Sequence, residues 1–157
     1  GTGIDLATNL TAVDWFRGHL ATLGILDRFQ LRDRADLAQC KASLAGAMAV
    51  VEVQTNHAPE VPGPTPGMLA AMAAGLPIVA FRDGLGDAVR DGVEGRLAAP
   101  DDATALGNAL IELAHDPDLR AGMGAAGRQT YDARFAPGVA KAELCARIRA
   151  LLNARVS

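Results

Sequence analysis

The sequence predicts an α/β fold, a Rossmann-like parallel sheet with helices on both faces. Two apolar runs, Ala47 to Val53 and Leu76 to Phe81, are separated by a proline-rich segment and a short Ala-rich helix pattern, giving the order strand, loop, helix, strand. That order is a βαβ unit, whose crossover makes neighbouring strands parallel and covers the sheet on both sides. Three helix patterns in succession then close the chain, from about residue 101 to 153. With 157 residues the chain is read as one domain around one core.

The residues Gly1 to Asn9 show no period. From Thr11, Val13, Phe16, Leu20 and Leu23 recur at helical spacing, with Thr11 placed as N-cap and the helix ending near Gly24. A short strand over Arg28 to Leu31 and a helix over Ala35 to Ala45 follow. Ala47 to Val53 holds three valines and reads as a buried strand interrupted by Glu52. Thr55 to Gly67 carries four prolines and two glycines, so it is a loop leaving the end of that strand. Met68 to Ala74 is a short helix closed by Gly75, and Leu76 to Phe81 is the next strand. A turn-rich stretch, Arg82 to Gly95, leads into a last strand, Arg96 to Ala99. Of the closing helices, the first starts at Asp101 and Asp102. The second has Asp116 as cap and Pro117 at its first position. The third begins near Pro137 and carries the apolar stripe Ala140, Leu144, Ile148 and Leu151.

Composition excludes several classes of function. Half the residues are apolar, but no uninterrupted run approaches the ~18 residues a membrane-spanning helix needs, and no basic-then-apolar leader opens the chain. A cytoplasmic protein is expected. The net charge is −3 and the 15 Lys and Arg are scattered, so there is no stripe to track a nucleic acid backbone. Cys40 and Cys145 share no metal-ligand spacing and read as small buried hydrophobes, and His19, His57 and His115 form no cluster. Neither a metal nor a cofactor is expected.

In an open parallel sheet, ligands bind where the carboxyl ends of strands meet helix N-termini. The loop Thr55 to Gly67 has that place. Gly63 and Gly67 permit close backbone approach, and the start of the Met68 helix offers partial positive charge to an anion such as a diphosphate. For Thr65, Gly67 and Met68, phosphate binding through backbone N–H groups and a plain N-cap turn are both open. Glu52 suits a sheet end or edge better than a catalytic role.

The segment Leu69-Ala70-Ala71-Met72-Ala73-Ala74-Gly75-Leu76-Pro77-Ile78-Val79-Ala80 resembles the L-E-A-M-A-x-G-x-P-V-V-A segment of the retaining GT-B family known as glycosyl transferases group 1. Further resemblances follow in the same order. Val89 to Leu97 is similar to that family's V-x-D-G-x-x-G-x-L turn and strand, and Asp101 onward to its P-x-D-x-x-x-L-A-x-A-I helix. Asp116 to Arg128 is similar to its D-P-x-L-R-x-x-M-G-x-x-x-R stretch. Thr2 to Leu6 resembles N-G-I-D-L, and Gly24 to Phe29 resembles G-L-x-D-R-V. The resemblance implies a donor-binding domain that holds a nucleoside diphosphate sugar, here the substrate, for hexosyl transfer to a saccharide or lipid acceptor. It places Glu60, Gly63, Thr65, Gly67, Met68, Ala70 and Arg82 at the donor. For Arg82 and Asp87 an exposed turn competes with donor contact.

Departures from the family pattern are equally specific. Its ribose-binding glutamate falls at Ala70, and its sugar-contacting glutamate, eight residues earlier, falls at Pro62. A methyl accepts no hydroxyl, so each lost charged contact weakens donor binding by roughly 1.5–3 kcal/mol. Glu60, two residues from the expected site, is the candidate replacement, although a solvated loop position competes for it as for His57. Between the segments resembling N-G-I-D-L and G-L-x-D-R-V only one helix intervenes, which implies that part of the first βαβ unit, ~30 residues, is missing. With it goes the loop whose Arg and Lys neutralise the leaving diphosphate. The chain is therefore expected to be an incomplete nucleotide-sugar-binding domain, inactive without an N-terminal acceptor domain. The alternative is a degenerate, non-catalytic domain of the same fold that acts in association, such as a homodimer through an unpaired sheet edge.

Overall fold

A computed structural model describes residues 4–8, 10–33, 37–53, 63–82 and 88–154. The chain divides into two compact units, Gly1–Gly46 and Ala47–Ser157.

The first unit runs β1 (Ile4–Thr8), α1 (Leu10–Thr22), a 3₁₀ turn (Leu26–Arg28), β2 (Phe29–Asp33) and α2 (Leu37–Ala45). β1 and β2 pair in parallel, from Ile4 opposite Phe29 to Thr8 opposite Asp33. The opening residues, which show no period in the sequence, thus include a strand. Five residues are too few to display a period, and pairing with a partner 25 positions along the chain makes the strand. The shortened first βαβ unit accordingly keeps both of its strands. Thr11 lies inside α1 and is not its N-cap. The helix stops where expected: Gly24 takes φ 67°, and its N–H bonds the Ala21 carbonyl.

The second unit contains β3 (Val50–Glu52), α3 (Pro66–Ala74), β4 (Ile78–Phe81), β5 (Gly95–Ala98), α4 (Ala103–His115), α5 (Pro117–Thr130) and α6 (Pro137–Ala154). Its sheet is parallel, in the order β3-β4-β5. All four residues of β4 are buried. Ile78 and Ala80 pack with Met68, Ala71, Met72 and Val89 on one face, closed by Val50, Tyr131 and Phe135. Val79 and Phe81 pack with Ala98, Leu106, Leu113 and Met123 on the other. Successive side chains of a strand point to opposite faces, so a strand buried on both reads as one apolar run. Each fully buried aliphatic side chain contributes about 1.5–3 kcal/mol.

Two strands are shorter than expected. Pro77 has no N–H to pair, so it accepts from the Val50 amide at 3.0 Å and regular pairing begins at Ile78. Only Val50 to Glu52 of the run Ala47 to Val53 pairs, and Val51 and Val53 are 43% and 54% exposed. Within the described sheet β3 is an edge strand, which corrects its reading as buried. The helix starts follow their capping residues: Asp102 accepts from Ala105 N at 2.9 Å, and Asp116 from Leu119 N at 2.8 Å. A π-helical turn, Tyr131–Phe135, joins α5 to α6. The stripe on α6 is present but uncovered, with Leu144, Ile148 and Leu151 all exposed. Cys145, expected to be buried, is exposed on the same helix.

Close backbone contact locks α5 onto the end of α3. A Cβ on Gly124 would stand 2.0 Å from the Gly75 carbonyl oxygen, closer than any side chain tolerates. Arg128 adds a hydrogen bond to the Ala73 carbonyl at 2.8 Å. The turn before β5 is held by Glu94, wholly buried, whose carboxylate accepts from the Arg90 amide and the Thr130 hydroxyl, each at 2.8 Å, and from the Arg90 guanidinium. Burial pushes the Glu94 carboxyl up, but these hydrogen bonds outweigh it and hold the group below the ordinary carboxyl range.

Gly124→Ala is expected to destabilise the protein by about 1–3 kcal/mol in urea unfolding, because Gly75 is backbone and cannot yield; an unchanged midpoint would refute the close approach. The pH dependence of Glu94 has a definite sign. Since its folded pKa is depressed, its stabilisation is complete above the unfolded carboxyl value and is lost as pH falls through the folded one. Glu94→Gln should therefore be less stable than wild type at neutral pH, with the gap narrowing in acid. A gap that stays constant from pH 7 to pH 3 counts against this role.

Candidate functional site

Because β3, β4 and β5 run the same way, their carboxyl ends, Glu52, Phe81 and Ala98, lie at one rim of the sheet. Val53, Arg82 and Ala99, the described residues next after each strand, lie there, together with the first turn of α3. This is where the sequence places its ligand loop. Of that loop, residues 63–67 are described; Glu60, His57 and Pro62 lie outside the described residues, as does Asp87.

Gly63 has nothing within 4 Å of the place a Cβ would take, so the backbone there is open on that side. Thr65 is extended (φ −73°, ψ 161°) and buried, and it is the N-cap of α3. Its Oγ1 accepts from the Met68 amide at 3.1 Å, and its carbonyl from the Leu69 amide at 3.0 Å. For Thr65 and Met68 the geometry is that of an N-cap. The Met68 amide is engaged and its side chain is completely buried in the core, so Met68 supports the site from below. Pro66 occupies the first helical position and has no N–H. Among the described residues this leaves the Gly67 amide as the one first-turn donor without a partner. Ala70 is half-buried further along α3, and its methyl offers no acceptor.

One side chain gains importance beyond the edge position the sequence suggested for it. Glu52 ends β3 on an edge strand, as its position suggested, and its carboxylate turns over the first turn of α3. Oε2 lies 2.7 Å from where a Cβ on Gly67 would stand. The Thr65 Oγ1, which accepts from Met68, lies beside it, 3.6 Å from the same Cβ position. Partial burial pushes the Glu52 carboxyl above its ordinary value, and the Thr65 hydrogen bond pulls part of the way back. The clue available in the sequence was an acidic residue closing an apolar strand immediately before the loop.

Arg82 stands at the same rim, two residues past Ala80, the register partner of Glu52, and its amide bonds the Ala98 carbonyl at 2.9 Å. Its guanidinium lies 3.7 Å from the Asp91 carboxylate, and both groups are exposed. A separate open groove of about 470 Å³ between β5 and α4 includes none of the predicted site residues. Its Arg96 is engaged by Glu112 at 2.6 and 2.8 Å. Among the described residues no cluster of His, Cys, Asp and Glu could hold a metal, and no helix is long and apolar enough to cross a membrane.

The model of the family described as glycosyl transferases group 1 matches residues 31–116, a span that includes the whole rim from Glu52 to Arg82. No curated protein matches the sequence. Among solved structures, sucrose-phosphate synthase (tll1590) from Thermosynechococcus elongatus is 23% identical with a TM-score of 0.80, over 96% of this chain and 38% of that one. Anabaena Alr3699/HepE in complex with UDP and glucose is 19% identical with a TM-score of 0.81, over 94% and 40%. The C-terminal domain of the glycosyl transferase group 1 family protein LpcC from Francisella tularensis is 19% identical with a TM-score of 0.65, over 80% and 63%. At such identities the likeness is one of fold. The chain spans about two fifths of the length of the first two.

Thr65→Ala removes the cap of α3 and is expected to cost about 1 kcal/mol in urea unfolding. Wild-type stability in that variant would mean that Thr65 does not hold the start of the helix.

Proposed function

The chain belongs to the glycosyl transferases group 1 family and has the fold of the C-terminal half of a GT-B enzyme, and from that premise we propose that it is a donor-binding domain for a nucleoside diphosphate sugar. The supporting observation is the rim itself: the loop end 63–67, the first turn of α3 and Arg82 gather at the carboxyl ends of a parallel sheet, inside the span the family model matches. Anabaena HepE, of similar fold, has been solved with UDP and with UDP-glucose.

In this reading residues 1–157 work as one cytoplasmic donor-binding domain. The open backbone at Gly63 and the Gly67 amide admit the donor, and the positive end of α3 favours its polar groups. Arg82 turns from Asp91 to the diphosphate. An exposed ion pair is worth at most about 1 kcal/mol, so the exchange costs little. Ala70 gives no carboxylate to the ribose, which keeps affinity modest. Transfer of a hexose to a saccharide or lipid acceptor requires a second, acceptor-binding domain, so this chain by itself binds without turnover.

A second reading, association through apolar surface, is favoured by the exposed Leu144, Ile148 and Leu151 of α6. The two readings separate in solution. Titrating the protein with UDP-, GDP- and ADP-glucose should shift the backbone amide resonances of Gly63, Thr65 and Gly67 at submillimolar to millimolar ligand. Silence at these amides with all three sugars at millimolar concentration sinks the donor-domain reading. A mass that rises with protein concentration would favour association instead.

A further inference from the structure

We propose that Glu52 is the residue by which this rim holds the sugar of the donor, its carboxylate accepting hydroxyl hydrogen bonds beside the first turn of α3. This rests on the donor-domain reading and names which part of the donor lies there. The geometry comes from three elements. β3 ends at Glu52, on the same face as Val50, which packs against the layer formed by α3. Thr65, whose own oxygen is held by the Met68 amide, stands beside the carboxylate as the cap of α3, both side chains facing the space over Gly67. Gly67 supplies the space, since Oε2 occupies room that any other residue there would fill with its Cβ.

The chemistry follows from what this carboxylate has left to offer. A carboxylate presents about four lone-pair positions on two oxygens, and the single Thr65 hydroxyl beside it can use at most one. Glu52 is only half-buried, so the remaining positions are open to a ligand, and the partly desolvated setting strengthens any hydrogen bond they accept. Its negative charge repels phosphate oxygens and rewards hydroxyl donors. The group it fits is a polyol, the hexose, and the diphosphate is left to the Arg82 side of the rim. Among the described residues, the acidic groups that follow β5 do not compete. Asp102 caps α4, and Asp101 follows β5, two strands from β3. Gly67 thereby acquires a reason beyond helix geometry, as the clearing into which the carboxylate fits.

The test compares a nucleotide sugar with its sugar-free nucleotide. With whichever of UDP-, GDP- and ADP-glucose the wild type binds best, and the matching diphosphate without glucose, affinities are measured calorimetrically for wild type, Glu52→Gln, Glu52→Asp and Gly67→Ala. Glu52→Gln should weaken the nucleotide sugar about tenfold or more, the loss of a charged hydrogen bond, and leave the sugar-free diphosphate unchanged or slightly tighter. Glu52→Asp, which keeps the charge but withdraws it by one methylene, and Gly67→Ala, which pushes it aside, should show the same selective loss. Each provides the answer if Glu52→Gln fails to fold. Equal affinity of all four proteins for the nucleotide sugar overturns this role for Glu52 and leaves the donor-domain reading intact. An equal loss for both ligands also overturns it, because Glu52 would then be shaping the rim. A wild type that binds neither ligand removes the donor-domain reading and this assignment together.

Discussion

Burial of β4 on both faces is the constraint on which the rest of the larger unit depends. A strand with Ile78 and Ala80 in one apolar layer and Val79 and Phe81 in the other must have helices on both sides, and α3, α4 and α5 supply them. Parallel pairing with β3 and β5 then obliges each connection to return across a face, so all the strands end at one rim. The place of Glu52, Thr65 and Arg82 is thus a consequence of core formation. Glycines at 95 and 124 serve the same end, because backbone must approach backbone there: a Cβ on Gly95 would stand 1.9 Å from the Ile78 carbonyl oxygen.

At the rim, helix capping and ligand binding draw on the same few groups. A helix start exposes four amides, and an anion site requires several of them free. Here Pro66 has none, Met68 gives its amide to Thr65 Oγ1, and Leu69 gives its amide to the Thr65 carbonyl. A carboxylate already leans over the same turn. The helix contributes a field and one amide, which is less than a cradle for a diphosphate.

Features decided locally were mostly readable in the sequence, the cap of α1 misplaced at Thr11 being an exception, and features decided by distant partners were not. Asp102, Asp116 and Pro117 mark helix starts through bonds within four residues, and α4 and α5 begin there. Gly75 marks the end of α3 with φ 70° for the same reason. β1 escaped because its partner is β2, and Ala47 to Val53 was overextended because apolar composition reports burial without reporting pairing. Periodicity found the stripe on α6 but could not say whether anything covers it. At the candidate site, the rim was readable from the order strand, loop, helix. Whether the Met68 amide faced a ligand or a cap was not, since both demand the same Thr-Pro-Gly sequence. Glu52 looked like an anomaly for want of its neighbour, Gly67, fifteen positions on.

These constraints bear on how a donor can be held at all. The diphosphate carries most of a donor's charge, yet this rim opposes it with one amide and one guanidinium already balanced by Asp91. An exposed cation contributes little to binding in water, and much more once water is excluded around it. Exclusion of water requires a second surface closing over the rim, the geometry of a cleft between two domains. The neutral parts of the donor need no such closure: under the proposed assignment a sugar hydroxyl would meet Glu52 in a half-buried setting formed by β3 and α3. On the proposed reading, the division of labour within the donor follows from burial, with recognition of the polyol assigned to this chain and neutralisation of the diphosphate dependent on what closes upon it.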